Sequence, residues 1–290
     1  MNRKITCKNE DDVEIIFTSD FSPLLLMDAD GLYDVQNNVT TSANTMINGS
    51  TYQGSVQKER NIVLTVASKS DHQGNRELLR RCFKSGSKGT LTYEEGTEKR
   101  QIGYYVESID PDSRERVRQA TISLICPDPF FEDLTDTTKV MAGWVGGWTF
   151  PHKFQKEGEP FAKRQTEKLL VIENYSAADN IGLTFTLKAV GDVSNPSLKH
   201  VENQQTISIG SESNPFSMEA GDILTITTGT NNKHVYFTHD GDTEEINEYL
   251  TEDSEFIQLS RGTNTLGFSA DAGEDYITVT VSYRLRYSGA

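Results

Sequence analysis

Hydrophobic and polar residues alternate with a period of two through most of this chain, the pattern of strands with one buried face. In the first half, Val13-Glu14-Ile15 and the β-branched run Ile62-Val63-Leu64-Thr65-Val66 read as strands. Leu91 and Tyr93 alternate with Thr92, a turn follows at Glu94-Glu95-Gly96-Thr97, and Ile102, Tyr104 and Val106 resume the alternation. That arrangement predicts a hairpin. Thr121 to Cys126 reads as a buried strand ended by Pro127, which has no amide to donate to a ladder. One segment changes period. From about Asp71 to Lys84, Leu78, Leu79, Cys82 and Phe83 form an apolar stripe at helical spacing. Arg80, Arg81 and Lys84 fall in its last turn, where the helix dipole favours cations, and Gly86 is placed to cap it with a positive φ. So short a helix is marginal alone and must pack on the sheet.

From about Leu134 to Lys168 the aliphatic residues thin out, and Gly143, Gly146, Gly147 and Pro151 predict a connector. It holds both tryptophans, Trp144 and Trp148, read as aromatics clamped onto a neighbouring domain, with a sugar-stacking platform as the competing use. From Leu169 onward short strands and turns succeed one another. Leu183, Phe185 and Leu187 alternate with Thr184 and Thr186, and Ile277, Val279 and Val281 with Thr278 and Thr280, as in a sandwich or barrel. The chain therefore reads as mainly β, in two domains at 1–134 and 169–290 with a connector at 135–168.

Composition narrows the functional classes. The 290 residues carry 28 Lys and Arg against 43 Asp and Glu, a net charge of −15, which argues against a protein that grips nucleic acid by its phosphates. The balance is −5 up to Leu134 and −10 beyond it. Hydrophobic content is only 35%, yet 24% charged residues and 8 prolines are ordinary for a folded chain. The longest plainly apolar run, Leu24-Leu25-Leu26-Met27, is far short of the roughly 20 residues that span a bilayer. No apolar run follows the charged start MNRKITCKNEDDVEII, so no secretory signal is expected. Cys7, Cys82 and Cys126 lack metal-ligand spacing and are expected to be reduced, partly buried thiols.

Catalytic chemistry finds no footing. Phosphate-binding glycine loops, nucleophile elbows and zinc-binding HExxH are missing from the sequence. His72, His152, His200, His234 and His239 are scattered, and Asp71-His72 and His239-Asp240 are neighbours whose side chains point to opposite faces of a strand. Asp28-Ala29-Asp30-Gly31 and the eight acids of Asp240 to Glu255 lack the twelve-residue spacing of a calcium loop, and the latter reads as a solvated acidic loop. The expected catalytic, cofactor-binding and metal sites are therefore none, and carbohydrate-binding residues are not identified.

Several motifs, taken in order, resemble the distal tail protein family of siphophages. Asn48 to Val66 is similar to its Asp/Asn-Gly-[x]-Tyr-x-Gly turn followed by Arg-x-Ile, with Asn48 where an Asp is commoner, and Arg76 to Phe83 to its helix. GTLTYEEGTEKRQI resembles its Gly-x-Leu-x-Tyr hairpin returning through Arg-x-Ile, and ISLICPDPFFED its domain end. Trp144 to Phe154, the strand pair ending in Asn195-Pro196, and the run from Ala220 to the final VSYRLRYSG complete the order. The resemblance implies an N-terminal β-sandwich with a helix and an extended hairpin, then a galectin-like or jelly-roll sandwich. It also implies a non-enzymatic phage or prophage protein that forms a homohexameric hub ring at the virion tail tip, assembled in the host bacterial cytoplasm. The implied partners are the tail tube protein, the tail-associated hub protein and receptor-binding or baseplate proteins, with no cofactor, no specific nucleic-acid binding and no membrane insertion. A carbohydrate-binding tail module is the alternative.

Overall fold

Burial follows the alternation. The computed structural model describes residues 3–19, 24–33, 36–43, 48–68, 70–111, 118–146, 162–165, 169–176, 178 and 180–290. The chain divides into two compact units, Met1–Leu134 with Arg286–Ala290, and Thr135–Leu285.

The first unit begins with β1 (Arg3–Asn9), β2 (Glu14–Thr18), β3 (Leu24–Asp30), β4 (Asn37–Ala43), β5 (Ser50–Gln57) and β6 (Arg60–Ser68). Helix α1 (His72–Cys82), β7 (Lys88–Glu95), β8 (Glu98–Pro111), β9 (Arg118–Cys126) and β10 (Phe131–Asp133) follow. The hydrogen-bonded order is β10-β8-β7-β1-β2-β3-β6-β9, and β8 also pairs with β9. Seven strands thus close on themselves, and the two layers of a sandwich become opposite sides of one barrel. The 14-residue β8 makes closure possible. It pairs with β7 from Glu98 to Tyr105 and with β9 from Tyr105 to Pro111, and a register shift between Val106 and Ser108 bends it. Inward side chains such as Ile5, Phe17, Leu64, Leu91, Tyr93 and Leu124 are fully buried.

Helix α1 contributes Leu79 and Cys82 to this core. Asp71 caps its start by accepting the Gly74 amide at 3.2 Å. The helix ends earlier than the spacing predicts. Phe83 takes φ −111°, its amide still bonded to the Leu79 carbonyl at 2.8 Å, and its ring lies 6.2 Å from those of both Phe17 and Tyr104. Pulling that ring into the core stops the helix, so Gly86 is not its cap. Gly86 has φ +80° but gives its amide to Val106, and Lys84 lies past the last turn, paired with Asp11 at 2.5 Å. Cys7, Cys82 and Cys126 are free and buried, and burial pushes the Cys82 and Cys126 thiols up to about 12.

The second unit opens with β11 (Thr137–Gly146), so the expected connector starts as a strand; residues 147–161 and 166–168 lie outside the described residues. β12 (Ala162–Gln165), β13 (Leu169–Asn174), β14 (Ile181–Ala189), β15 (Val193–His200), β16 (Gln205–Ser208) and β17 (Ser217–Met218) come next. Then come β18 (Ile223–Gly229), β19 (Asn232–His239), β20 (Asp242–Glu245), β21 (Gln258–Leu259), β22 (Gly262–Ala272) and β23 (Ile277–Tyr283). One sheet runs β12-β11-β23-β14-β18-β19-β20 with β21 beside β14, the other β13-β22-β15-β16 with β17 beside β15. Phe185, Ile226 and Val281 from the first sheet share a core with Ile172, Leu198 and Leu266 from the second. The threonines of the alternation lie on the outer face, paired across strands as Thr184↔Thr227 and Thr186↔Thr225.

The last strand, β24 (Arg286–Tyr287), leaves this sandwich and pairs with β10. Residues 286–290, read from the sequence as the end of the second domain, therefore belong to the first unit.

Candidate interaction surfaces

Three surfaces and one docked segment stand out. The first is the β4–β5 hairpin, a two-stranded ladder separate from the other sheets. Every residue of β4 and most of β5 is exposed, with Val39, Tyr52 and Val56 at 54, 61 and 73%. The register shift after Thr40 brings Val39, Thr41 and Tyr52 to one face, where the Tyr52 hydroxyl donates to Ser55 at 2.9 Å. From Val35 to Gln57 the sequence carries no charged residue, although 24% of the chain is charged. A lone two-stranded ribbon is marginally stable in water, and exposed strand edges are ordinarily guarded by charges or proline. This hairpin has neither guard.

The outer face of α1 exposes Arg76, Arg80 and Arg81, and among the described residues none of the three has an ion-pair partner. The second unit ends its larger sheet in the opposite charge. Asp242, Glu244 and Glu245 of the edge strand β20 are exposed, and the acids expected in one loop are spread over a strand, a 3₁₀ turn and its exit. His234 Nδ1 lies 2.6 Å from Glu245 and His239 Nδ1 lies 2.7 Å from the buried Asp222. The hydrogen bond to Asp222 raises the His239 pKa, and the one from His234 holds the Glu245 carboxyl below its usual range. His239 is thus partnered by a residue distant in sequence; its neighbour Asp240 stands 3.6 Å from the other ring nitrogen.

The docked segment is 286–290. Phe131↔Tyr287 and Glu132↔Arg286 pair antiparallel, and the Ala290 amide donates to the Leu32 carbonyl at 3.0 Å. Arg60, only 5% exposed, donates to the carbonyls of Pro129 (2.8 Å), Gly31 (2.7 Å), Leu32 (3.1 Å) and Ser288, with its guanidinium over the Phe131 ring. Arg100 donates to the Gly289 carbonyl at 2.7 Å and lies 4.1 Å from the Tyr287 ring centre. Arg286 covers Phe130 and pairs with Asp128 and Glu132. Both arginines of the Arg-x-Ile motifs, and the Asp128–Phe131 domain end, therefore meet at one place. The sequence shows these motifs without showing that they converge.

The remaining sequence candidates stay apart. Asp28 and Asp30 each accept the following residue's amide at 2.9 Å, and among the described residues no group of three or more His, Cys, Asp or Glu could hold a metal ion. Trp144 is paired through its backbone with Arg164, while Trp148 and His152 lie outside the described residues.

Sequence comparison connects both units to phage tails. A family model described as phage tail protein RIFT-related domain matches residues 17–126, and one described as siphovirus-type tail component, C-terminal domain, matches residues 176–287. Together they match more than half of the chain. The chain belongs to the distal tail protein family of siphophages. Curated protein sequences give no match. The distal tail protein Dit of phage SPP1, described as a paradigm of the hub adsorption apparatus in phages infecting Gram-positive bacteria, shares the fold with TM-score 0.69 at 11% identity, covering 97% of this chain and 98% of that one. A chain of the phage P2 baseplate in its activated, calcium-containing conformation has TM-score 0.55 at 8% identity over the whole of both chains. This distal tail protein is a structural component of a phage tail.

Proposed function

We propose that this protein is the repeating subunit of a homohexameric hub ring at the virion tail tip. The ring joins the tail tube protein to the tail-associated hub protein, and the second unit presents receptor-binding or baseplate proteins. The role is structural and non-enzymatic. The observation that carries this reading is the exposed, charge-free β4–β5 hairpin, whose unguarded edges suit burial against a neighbouring copy. A contact repeated head to tail closes a ring, and each contact needs more than about 1,000 Å² to be specific. The modest hydrophobic content, 35%, fits a subunit stabilised partly by assembly.

Light scattering with negative-stain imaging tests the reading. The wild-type chain, alone or with the tail tube protein, is expected to form six-membered rings. The Val39→Lys/Tyr52→Lys/Val56→Lys variant is expected to stay monomeric with an unchanged unfolding midpoint. A chain monomeric under both conditions, or a variant that still closes, overturns it.

A further inference from the structure

We propose that residues 286–290 are a plug-in strand seated in a built peptide groove of the first unit, and that the entire second unit is inserted where a hairpin turn would otherwise join β10 to β24. The register carries the second half. With Glu132 opposite Arg286, the next positions outward are Asp133, one residue before the first unit's exit at Leu134, and Leu285, the last residue of the second unit. Antiparallel strands so placed are ordinarily joined by a two-residue turn. Here Thr135–Leu285 stands in that place. Loop tips accept such insertions because the two chain ends are already close.

The groove carries the first half. Arg60 is a buried cation, and a buried guanidinium is tolerated only when its donors find acceptors. Three of its carbonyl partners come from loops of the first unit, and the Ser288 carbonyl is supplied by the incoming segment. Arg100 selects an aromatic at 287 by lying over its ring and fixes the backbone at 289. Ala290 is 7% exposed, leaving little room for a larger side chain. The groove therefore takes an extended peptide with one aromatic residue followed by three small ones. Its occupant is this chain's own segment, so the first unit is complete only when the far end of the chain has returned. The inference does not depend on the ring.

Hydrogen exchange on the full chain, on a chain lacking 286–290 and on full-length Tyr287→Ala tests it. In both variants, amides of β10 and of the Gly31–Leu32 turn are expected to exchange about tenfold faster or more, while β14, β18 and β23 keep their protection. The synthetic peptide Leu285–Ala290 is expected to restore protection to the shortened chain and to leave the intact chain unchanged. Unchanged exchange in Tyr287→Ala overturns the proposal, whether or not the shortened chain folds. A loss of protection as large in the second unit as in the first also overturns it.

Discussion

Gly89 shows how a single residue can be dictated by its neighbour across a sheet. It pairs with Tyr104, and a Cβ there would stand 2.5 Å from that phenol and 2.6 Å from the Lys8 carbonyl. Leu91 and Tyr93, two and four residues on, are fully buried. The Gly-x-Leu-x-Tyr motif is therefore a packing rule. Gly89→Ala is expected to destabilise the first unit by about 1–3 kcal/mol, measured by chemical denaturation. Gly31 is constrained more tightly: it has φ +79°, and a Cβ would fall 2.0 Å from the Asn61 carbonyl. His239 makes a pH-dependent link. The hydrogen bond to Asp222 raises its pKa, so the link is fully present below about pH 6.5, the ordinary histidine value, and is lost as pH rises through the higher folded-state value. NMR titration should place the His239 midpoint above that of His239 in an Asp222→Asn variant. The histidines were visible in the sequence, but the pairing of His239 with a residue 17 positions earlier was not.

Among the elements, α1 was the most legible, because a stripe of Leu78, Leu79 and Cys82 at helical spacing needs no tertiary knowledge. Its end was not legible, since Phe83 leaves the helix to meet Phe17 and Tyr104. Leu79→Ala is expected to cost about 2–5 kcal/mol by denaturant unfolding, because Leu79 is buried in the barrel core. The two exposed strand margins contrast. β20 meets solvent with Asp242, Glu244 and Glu245, a charged edge that resists further pairing. The β4–β5 hairpin has no such charge, which is why the proposed ring contact is assigned to it. The β4–β5 pair was not legible in the sequence, because its short alternation is too polar to announce a strand pair.

For the whole molecule, two separate hydrophobic cores imply two cooperative units. Calorimetry is expected to resolve two transitions, with Gly89→Ala lowering only one; a single transition shifted as a whole would contradict independent cores. Pro127, Pro129 and the thinning of aliphatics mark a change near Leu134 in the sequence. The return before Arg286 carries no such mark, because VSYRLRYSG alternates without interruption from β23 into β24.

The spacing of apolar residues by itself determined the mainly β class and the helix, since the buried face is written locally at a period of two in a strand and about 3.6 in a helix. The order of motifs determined the family resemblance. Tertiary structure alone decided that the first sheet closes as a barrel, that Arg60 and Arg100 serve a segment almost 200 residues or more away, and that the chain's last residues complete its first unit. These depend on pairings between distant strands, and a period of two shows which face of a strand is buried without showing which strand lies beside it.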